Sequence, residues 1–455
     1  MSERDVIVIG LGPGGEALAG RLAEAGLDVL AIEANLVGGE CPYWACVPTK
    51  MMVRAARTLA EARRVPELAG TIGELVPDWS VVARRIREEA TDDWDDTVAA
   101  DRLTGKGATL LRGHGRLVGP ATVEVGGARH TARRAVVVAT GSSPTIPAID
   151  GLDTVDYWTN HEAVQAEALP ASLVVLGGGV VGCELAQVFA RFGVRVTIVE
   201  SGDRLLAREE PEAAQVAAEV LEGDGVRVLT GGAVTKVAAA PEAGPTGVTV
   251  MVGAQTLTAE RLLVATGRHV DLAAVGLDTV GVDPGQHVAP VDERCRVTDG
   301  VWALGDVTGK GPFTHVAMYQ SEIVARDILG EPGPPADYRA LPRVIFTEPE
   351  IGAVGLTESQ AREQYDDVRV GRAQVPETSR GWIEKLGNQG VIKLVVDAGT
   401  DTLVGATAAG PGGGEMLGAL TVAVHARVPT ATLRSMIYAY PTIHRGIEAA
   451  LADVG

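Results

Sequence analysis

An α/β fold with an internal duplication is what the sequence predicts, and three features predict it. An apolar run at residues 5–9 leads into Gly10-Leu-Gly12-Pro-Gly14-Gly15, then a helical pattern over 16–25 and a second run at 29–32 that ends on Glu33. The same grammar returns at 173–200: a run at 173–176, the turn Gly177-Gly-Gly179-Val-Val-Gly182, a helical pattern over 183–192, and a run at 194–199 closing on Glu200. From about residue 341 no such turn occurs, although a strand pattern near 391–396 and a helical one near 415–426 do, so this tract reads as a separate α+β domain.

Each copy is a βαβ unit, a strand feeding a glycine turn that opens a helix. In each, an acid stands 18 residues beyond the last glycine. The spacing has a mechanism: the glycines let a pyrophosphate approach a helix N-terminus, and the carboxylate takes ribose hydroxyls. Gly10, Gly12, Gly14, Gly15 and Glu33, and again Gly177, Gly179, Gly182 and Glu200, are therefore candidate dinucleotide-binding residues of two Rossmann-like domains. One such turn is weak evidence, since glycine-rich turns are common. Two in the same context imply two dinucleotides, hence an electron relay rather than a simple dehydrogenase. Glu200 favours a nicotinamide dinucleotide with a free 2′-hydroxyl over one with a 2′-phosphate, and Arg204 is expected on a solvated turn.

Between the copies a strand at 136–138 enters Ala139-Thr140-Gly141, and Leu-Leu-Val-Ala-Thr-Gly267 repeats it after the second. Prolines at 144 and 147, and at 332, 334 and 335, suggest boundaries. The expected domains are 1–149 with 270–338, 150–269, and 339–455.

A chain of 455 residues exceeds one ordinary core. Its 59 acidic against 40 basic residues give a net charge of -19, which repels a phosphate backbone and excludes nucleic acid as a natural partner. No run of about 18 apolar residues is present to span a membrane, and the opening Met1-Ser-Glu-Arg-Asp is not a signal peptide, so a cytoplasmic protein is expected.

The four cysteines, Cys41, Cys46, Cys183 and Cys295, are too few for a disulfide framework in a chain of this size. The close pair reads as catalytic or metal-binding, and because two further ligands at metal-site spacing are missing, redox use leads and no metal is expected. In a regular helix, residues five apart have Cα atoms roughly 8.7 Å apart. A disulfide needs less than about 7 Å. The pair can therefore bond only if Cys41 lies on an irregular lead-in, which Gly38, Gly39 and Pro42 allow. Pro48 suits the first turn of a helix running to about residue 64, which puts Cys46 at a helix start where the dipole favours a thiolate. Two buried, inert thiols would fit the pair alone, and a surface residue would fit Lys50.

The ordered stretch Gly38-Gly-Glu-Cys41-Pro-Tyr-Trp-Ala-Cys46-Val-Pro-Thr-Lys50 changes that balance. With Glu184 after the second glycine turn, both Ala-Thr-Gly turns, Ala303-Leu-Gly305-Asp306, Phe313-Thr-His-Val and Phe346-Thr-Glu-Pro-Glu350-Ile-Gly, it resembles the flavin-dependent pyridine-nucleotide disulfide oxidoreductases over nearly the whole chain. That group includes dihydrolipoamide dehydrogenase, glutathione reductase and mercuric reductase. The resemblance implies FAD held by Gly10–15, Glu33, Thr140, Gly141, Gly305 and Asp306, and NAD held by the second unit with Gly267. It implies Cys46 as the thiol facing the flavin, Cys41 as the thiol meeting substrate, and Lys50 with Glu184 as an ion pair near the flavin's reactive nitrogen. A cation there stabilises negative charge arriving on the ring. It also implies a C-terminal dimerisation domain and a homodimer.

Two departures stand out. Where the family carries His-Pro-Thr-x-x-Glu, an acid–base pair supplied by the partner subunit, this chain has Tyr440-Pro-Thr-Ile-His444-Arg445. Tyrosine here is similar to mercuric reductase, yet the chain ends Asp-Val-Gly455 without that enzyme's cysteine pair. In the redox loop, Pro42, Tyr43 and Trp44 replace smaller residues. The expected activity is electron transfer between NADH, FAD, the Cys41–Cys46 disulfide and a small disulfide or, in reverse, a dithiol, with Tyr440 contributed across the dimer interface. The alternatives are reduction of a soft metal ion or quinone, and dithiol oxidation by dioxygen.

Overall fold

The computed structural model describes residues 2–454; Met1 and Gly455, at the outer ends of the expected first and last domains, lie outside the described residues. The chain forms two compact units, one made of Met1–Thr49, Arg84–Thr145 and Arg268–Asp337, the other of Lys50–Ala83, Ile146–Gly267 and Tyr338–Gly455.

In the first unit a mostly parallel sheet runs in the order Arg296–Thr298, Val301–Ala303, Ala128–Val138, Ser2–Ile9, Val29–Glu33, Thr109–Arg112. Its central strand is apolar on both faces, because both are covered, one by helices and the other by the strands Gly115–Gly119 and Thr122–Val125 with the short helix Leu272–Val275. Val6 and Val8 join Leu18, Leu22 and Val324 in one core, while Ile7 and Ile9 join Ile32, Val136 and Leu277 in the other. The strand begins at Ser2, before the apolar run, because backbone pairing to 130–132 needs no apolar side chain. Arg133 steadies this polar end through Asp5 and Glu3. The following helix is Pro13–Glu24, starting before the apolar pattern because proline is suited to a first helical position.

The second unit holds a parallel sheet ordered Arg227–Leu229, Arg195–Val199, Ser172–Leu176, Arg261–Val264, with the helix Val180–Arg191. It also holds a five-stranded antiparallel sheet ordered Pro342–Ile345, Glu350–Gly355, Thr402–Gly410, Val391–Asp397, Val368–Gln374. The helices Gly413–His425 and Gly446–Asp453 pack Leu417, Leu420, Ile447 and Leu451 on the antiparallel sheet. Among the described residues, no helix is long and apolar enough to cross a membrane.

Candidate active site

The two glycine turns are built alike. Gly10 and Gly177 sit at φ 91° and 105°, a left-handed conformation that suits glycine. A β-carbon at either would collide with a backbone carbonyl, that of Ala139 at the first and Ala265 at the second. A β-carbon at Gly15 or Gly182 would collide with the carbonyl of Gly10 or Gly177, so these last glycines let helix and strand pack closely. Only at the middle glycines, Gly12 and Gly179, would a β-carbon meet nothing within 4 Å. That opening, at a helix N-terminus, suits a pyrophosphate in both turns.

The acids behind the turns are held the same way. Glu33 accepts the N–H of Leu11 at 2.6 Å and of Asn35 at 2.8 Å, and Glu200 accepts that of Gly178 at 2.6 Å and of Gly202 at 2.7 Å. A carboxylate has about four lone-pair sites, so each keeps capacity for ribose hydroxyls. Arg204 is half-buried rather than on a solvated turn, and its guanidinium donates to the carbonyls of Leu206, Ala207 and Glu209.

Thr140 and Gly141 follow the strand Ala128–Val138, and Gly267 follows Arg261–Val264 in the second unit. Gly305 donates its N–H to Gln320 at 2.7 Å, and the Asp306 carboxylate accepts the Ser142 hydroxyl at 2.6 Å. Arg268 donates to both the hydroxyl and the carbonyl of Ser142. Ser142, Arg268 and Gln320 were not legible in the sequence; Ser142 and Arg268 each directly follow an Ala-Thr-Gly turn, and Gln320 lies on the helix Thr314–Leu329 with no motif of its own.

Cys41 does not lie on an irregular lead-in. Gly38 and Gly39, at φ 106° and 64°, turn the chain into a short helix, Glu40–Tyr43, that carries it. The break comes after it, at Trp44 with φ -136° and ψ 0°, and a new helix, Cys46–Leu68, begins on the second cysteine. The interruption brings the thiols together where one continuous helix would hold them apart. The structure holds both as thiols. The Cys41 thiol is pushed far above its ordinary value, first by its hydrogen bond with Cys46 and then by burial, while a hydrogen bond from Thr314 opposes the rise. The Thr314 hydroxyl is also 3.5 Å from the Cys46 sulfur. Thr314 is a further site residue the sequence reading missed; its signal was a hydroxyl at the start of the helix Thr314–Leu329, inside the Phe313-Thr-His motif.

Lys50 lies four residues beyond Cys46 on the same helix. Its ammonium donates to Glu184 at 2.7 Å and stands 4.7 Å from the Phe346 ring centroid. Glu184, 4% exposed, uses its other oxygen to accept the Phe346 N–H. The next residues continue the bracing: Gln187 takes the backbone of Glu348, whose carboxylate pairs with Arg64 and Arg191. Despite burial, those two cations hold the Glu348 carboxyl below its ordinary value.

Tyr440 is 65% exposed, with the Arg445 guanidinium 5.0 Å from its ring centroid. Arg445 also pairs with Glu448 at 2.7 Å. The His444 ring sits 5.4 Å from that of the buried Tyr438.

Fold and site together define a redox protein that takes two dinucleotides and carries a thiol pair at a helix start. Residues 4–321 match the family described as pyridine nucleotide-disulphide oxidoreductase, and residues 341–451 match the dimerisation domain of the same family. A dihydrolipoyl dehydrogenase of Chlorobaculum tepidum is 33% identical, the alignment covering 99% of this chain and 96% of the relative. A mercuric reductase of Staphylococcus aureus is 30% identical over 98% of this chain and 81% of the relative. Among solved structures, the Cu(II) complex of the HOCl-induced flavoprotein disulfide reductase RclA from Escherichia coli superposes with a TM-score of 0.86 at 27% identity, covering 100% of both chains. The chain belongs to the pyridine nucleotide-disulphide oxidoreductase family. It is accordingly an FAD-dependent enzyme of pyridine-nucleotide-linked disulfide chemistry, with two dinucleotide-binding domains and a dimerisation domain.

Proposed function

We propose that electrons pass from NADH to the Cys41–Cys46 disulfide, and from the resulting dithiol to a small disulfide, or in reverse from a dithiol to NAD. The balance is NADH, a proton and a disulfide giving NAD and two thiols. When bound, FAD supplies the two-electron relay between nicotinamide and cysteines. The observation that carries the reading is the thiol pair brought together at the start of a helix, with Thr314 within reach of both sulfurs. Cys46, at the first helical position, gains from the dipole as a thiolate and takes the inner role. Cys41 meets substrate. Lys50, held by Glu184, places a cation where negative charge arrives on the cofactor.

FAD would be held by Gly10, Gly12, Gly14, Gly15, Glu33, Thr140, Gly141, Gly305 and Asp306 in a domain of residues 1–149 and 270–338. NAD would be held by Gly177, Gly179, Gly182, Glu200 and Gly267 in 150–269. The third domain, 339–455, would pair two copies and carry Tyr440 into the partner's site. A redox pair that must be re-reduced suits the cytoplasm.

The acceptor is where this chain leaves dihydrolipoyl dehydrogenase. Cys41 keeps its proton tightly, so disulfide exchange needs a base to take it. Forming a phenolate from tyrosine at pH 7 costs about 4 kcal/mol at the reference pKa of about 10. A soft metal ion needs no such base, because it displaces the thiol proton on binding. That favours metal-ion reduction as the second reading, in keeping with the mercuric reductase relatives and the Cu(II) complex of the structural neighbour.

The test is spectroscopic. Two-electron reduction should produce a long-wavelength thiolate-to-flavin band that Cys46→Ser abolishes and Cys41→Ser shows without reductant. Identical behaviour of the two variants would refute separate roles. Turnover with lipoamide, low-molecular-weight disulfides, quinones, metal ions and oxygen then selects the acceptor. Tyr440→Phe should alter that turnover while leaving cofactor reduction by NADH unchanged.

A further inference from the structure

The segment after residue 85 departs from regular backbone in two successive ways. Residues Ile86–Ala90 form a π-helical turn, a form found mostly as short pieces at functional sites. Three successive residues then take positive φ: Asp92 at 49°, Asp93 at 56° and Trp94 at 58°. Left-handed backbone is unfavourable for residues with a β-carbon, and for one as bulky as tryptophan it is an outlier. Such strain persists only where the surroundings over-determine it.

Here the surroundings do. The buried Thr91 returns its hydroxyl to the carbonyls of Ile86 and Arg87, and the Asp93 N–H returns to Arg87 at 2.7 Å. The turn delivers the Trp94 indole N–H to the carbonyl of Tyr43 at 3.3 Å. Tyr43 ends the short helix that carries Cys41, where carbonyls run out of helical donors. Two residues on, the buried Asp96 accepts the Val37 N–H at 2.6 Å and pairs with Arg112, which in turn donates to the Asn35 carbonyl. One strained turn thus grips the redox loop on both sides of the short helix.

We propose that Trp94 is a positioning residue for the cysteine pair: its indole N–H pins the end of the Glu40–Tyr43 helix and so sets Cys41 within bonding reach of Cys46. The proposal rests on Cys41 and Cys46 being the redox couple. Pre-organised thiols favour the disulfide in its equilibrium with two thiols, two electrons and two protons. Loosening the helix end therefore makes the disulfide easier to reduce.

The experiment equilibrates the purified holoenzyme with mixtures of oxidised and reduced dithiothreitol, quenches by alkylation, and reads the Cys41–Cys46 peptide by mass spectrometry. Trp94→Phe, which keeps a ring and removes the N–H, should shift the equilibrium about tenfold toward the dithiol, about 30 mV for a two-electron couple. Trp94→His, which retains a ring N–H, should shift it less. Asp95→Ala, whose carboxylate serves Thr97 instead, should lower Tm and leave the equilibrium unmoved. The proposal is overturned if Trp94→Phe stays within twofold of the parent, or if Asp95→Ala moves as far. Should Trp94→Phe not fold, Trp94→His decides: a shift of tenfold or more overturns the role of the N–H, a smaller one toward the dithiol supports it. A parent peptide that never titrates as a two-electron couple would instead refute the underlying redox assignment.

Discussion

In the turn at 10–15 the residue after Pro13 is Gly14, and a β-carbon there would press on Leu304 and on Ala317 of the helix Thr314–Leu329 at under 3 Å. In the turn at 177–182 the matching residue is Val181, 40% exposed, beside Val180 at 42%. The acids follow suit, Glu33 being buried at 7% exposed and Glu200 half-buried. The glycines that shape the turns are otherwise equivalent. The difference is one of packing, and it fits the proposed assignment of the first turn to FAD and the second to NAD. A turn roofed by a second helix suits a dinucleotide that stays bound, and a turn left open suits one that exchanges with every turnover.

The comparison breaks most decisively at the middle glycines. Gly12 and Gly179 have φ of -61° and -80°, which alanine adopts without strain, and no neighbour lies within reach of the new methyl. Gly12→Ala should fold, yet purify with little or no flavin and without activity. Gly179→Ala should purify yellow, with flavin content unchanged and the Kd for NADH raised at least tenfold, about 1.4 kcal/mol. Absorbance and equilibrium dialysis check both; equal flavin loss in the two variants would mean the turns are assigned wrongly.

A smaller effect sharpens the contrast of roofs. Gly14→Val must push Leu304 and Ala317 aside, and overpacking of this kind costs about 1–3 kcal/mol. Val181→Gly removes an exposed side chain from a first helical turn and should cost about 0.5–1 kcal/mol. Thermal unfolding with cofactor content measured in parallel compares them. If the two lose the same Tm, the roof over the first turn carries no special constraint.

A third expected effect lies at the open turn's acid. With Arg204 engaged by three carbonyls, Glu200 faces a 2′-phosphate without a competing cation from that side chain. The parent should prefer NADH by at least about tenfold in kcat/KM, about 1.4 kcal/mol, and Glu200→Gln should erase most of the preference. A parent that uses NADPH equally well would show that other groups dominate the site.

Much of this was legible from residue order alone. The glycine spacing, the acids at Glu33 and Glu200 and the apolar runs specify the two βαβ units, because backbone sterics and strand periodicity act over neighbouring residues. Local pattern also placed Cys46 at a helix start, since Pro48 and the helical periodicity lie beside it. It misjudged Cys41, expecting irregular chain where Glu40–Tyr43 form a full helical turn, because the glycines end before that turn and the break falls at Trp44, which no glycine or proline marks.

What the sequence by itself determined, then, is the chemistry available: two dinucleotide turns, a thiol pair, a lysine one turn further on, and a tyrosine at 440 beside Pro441. Only the tertiary structure decided which partners set those groups to work. Thr314 reaches the cysteines from a helix 268 positions away, Glu184 holds Lys50 across 134, and Trp94 reaches Tyr43 across 51 from a left-handed conformation that tryptophan disfavours. The physical reason is range. Turn shape and helix starts are settled by sterics within a few residues, whereas hydrogen-bond partners and burial are settled by which distant surfaces the packed core brings together.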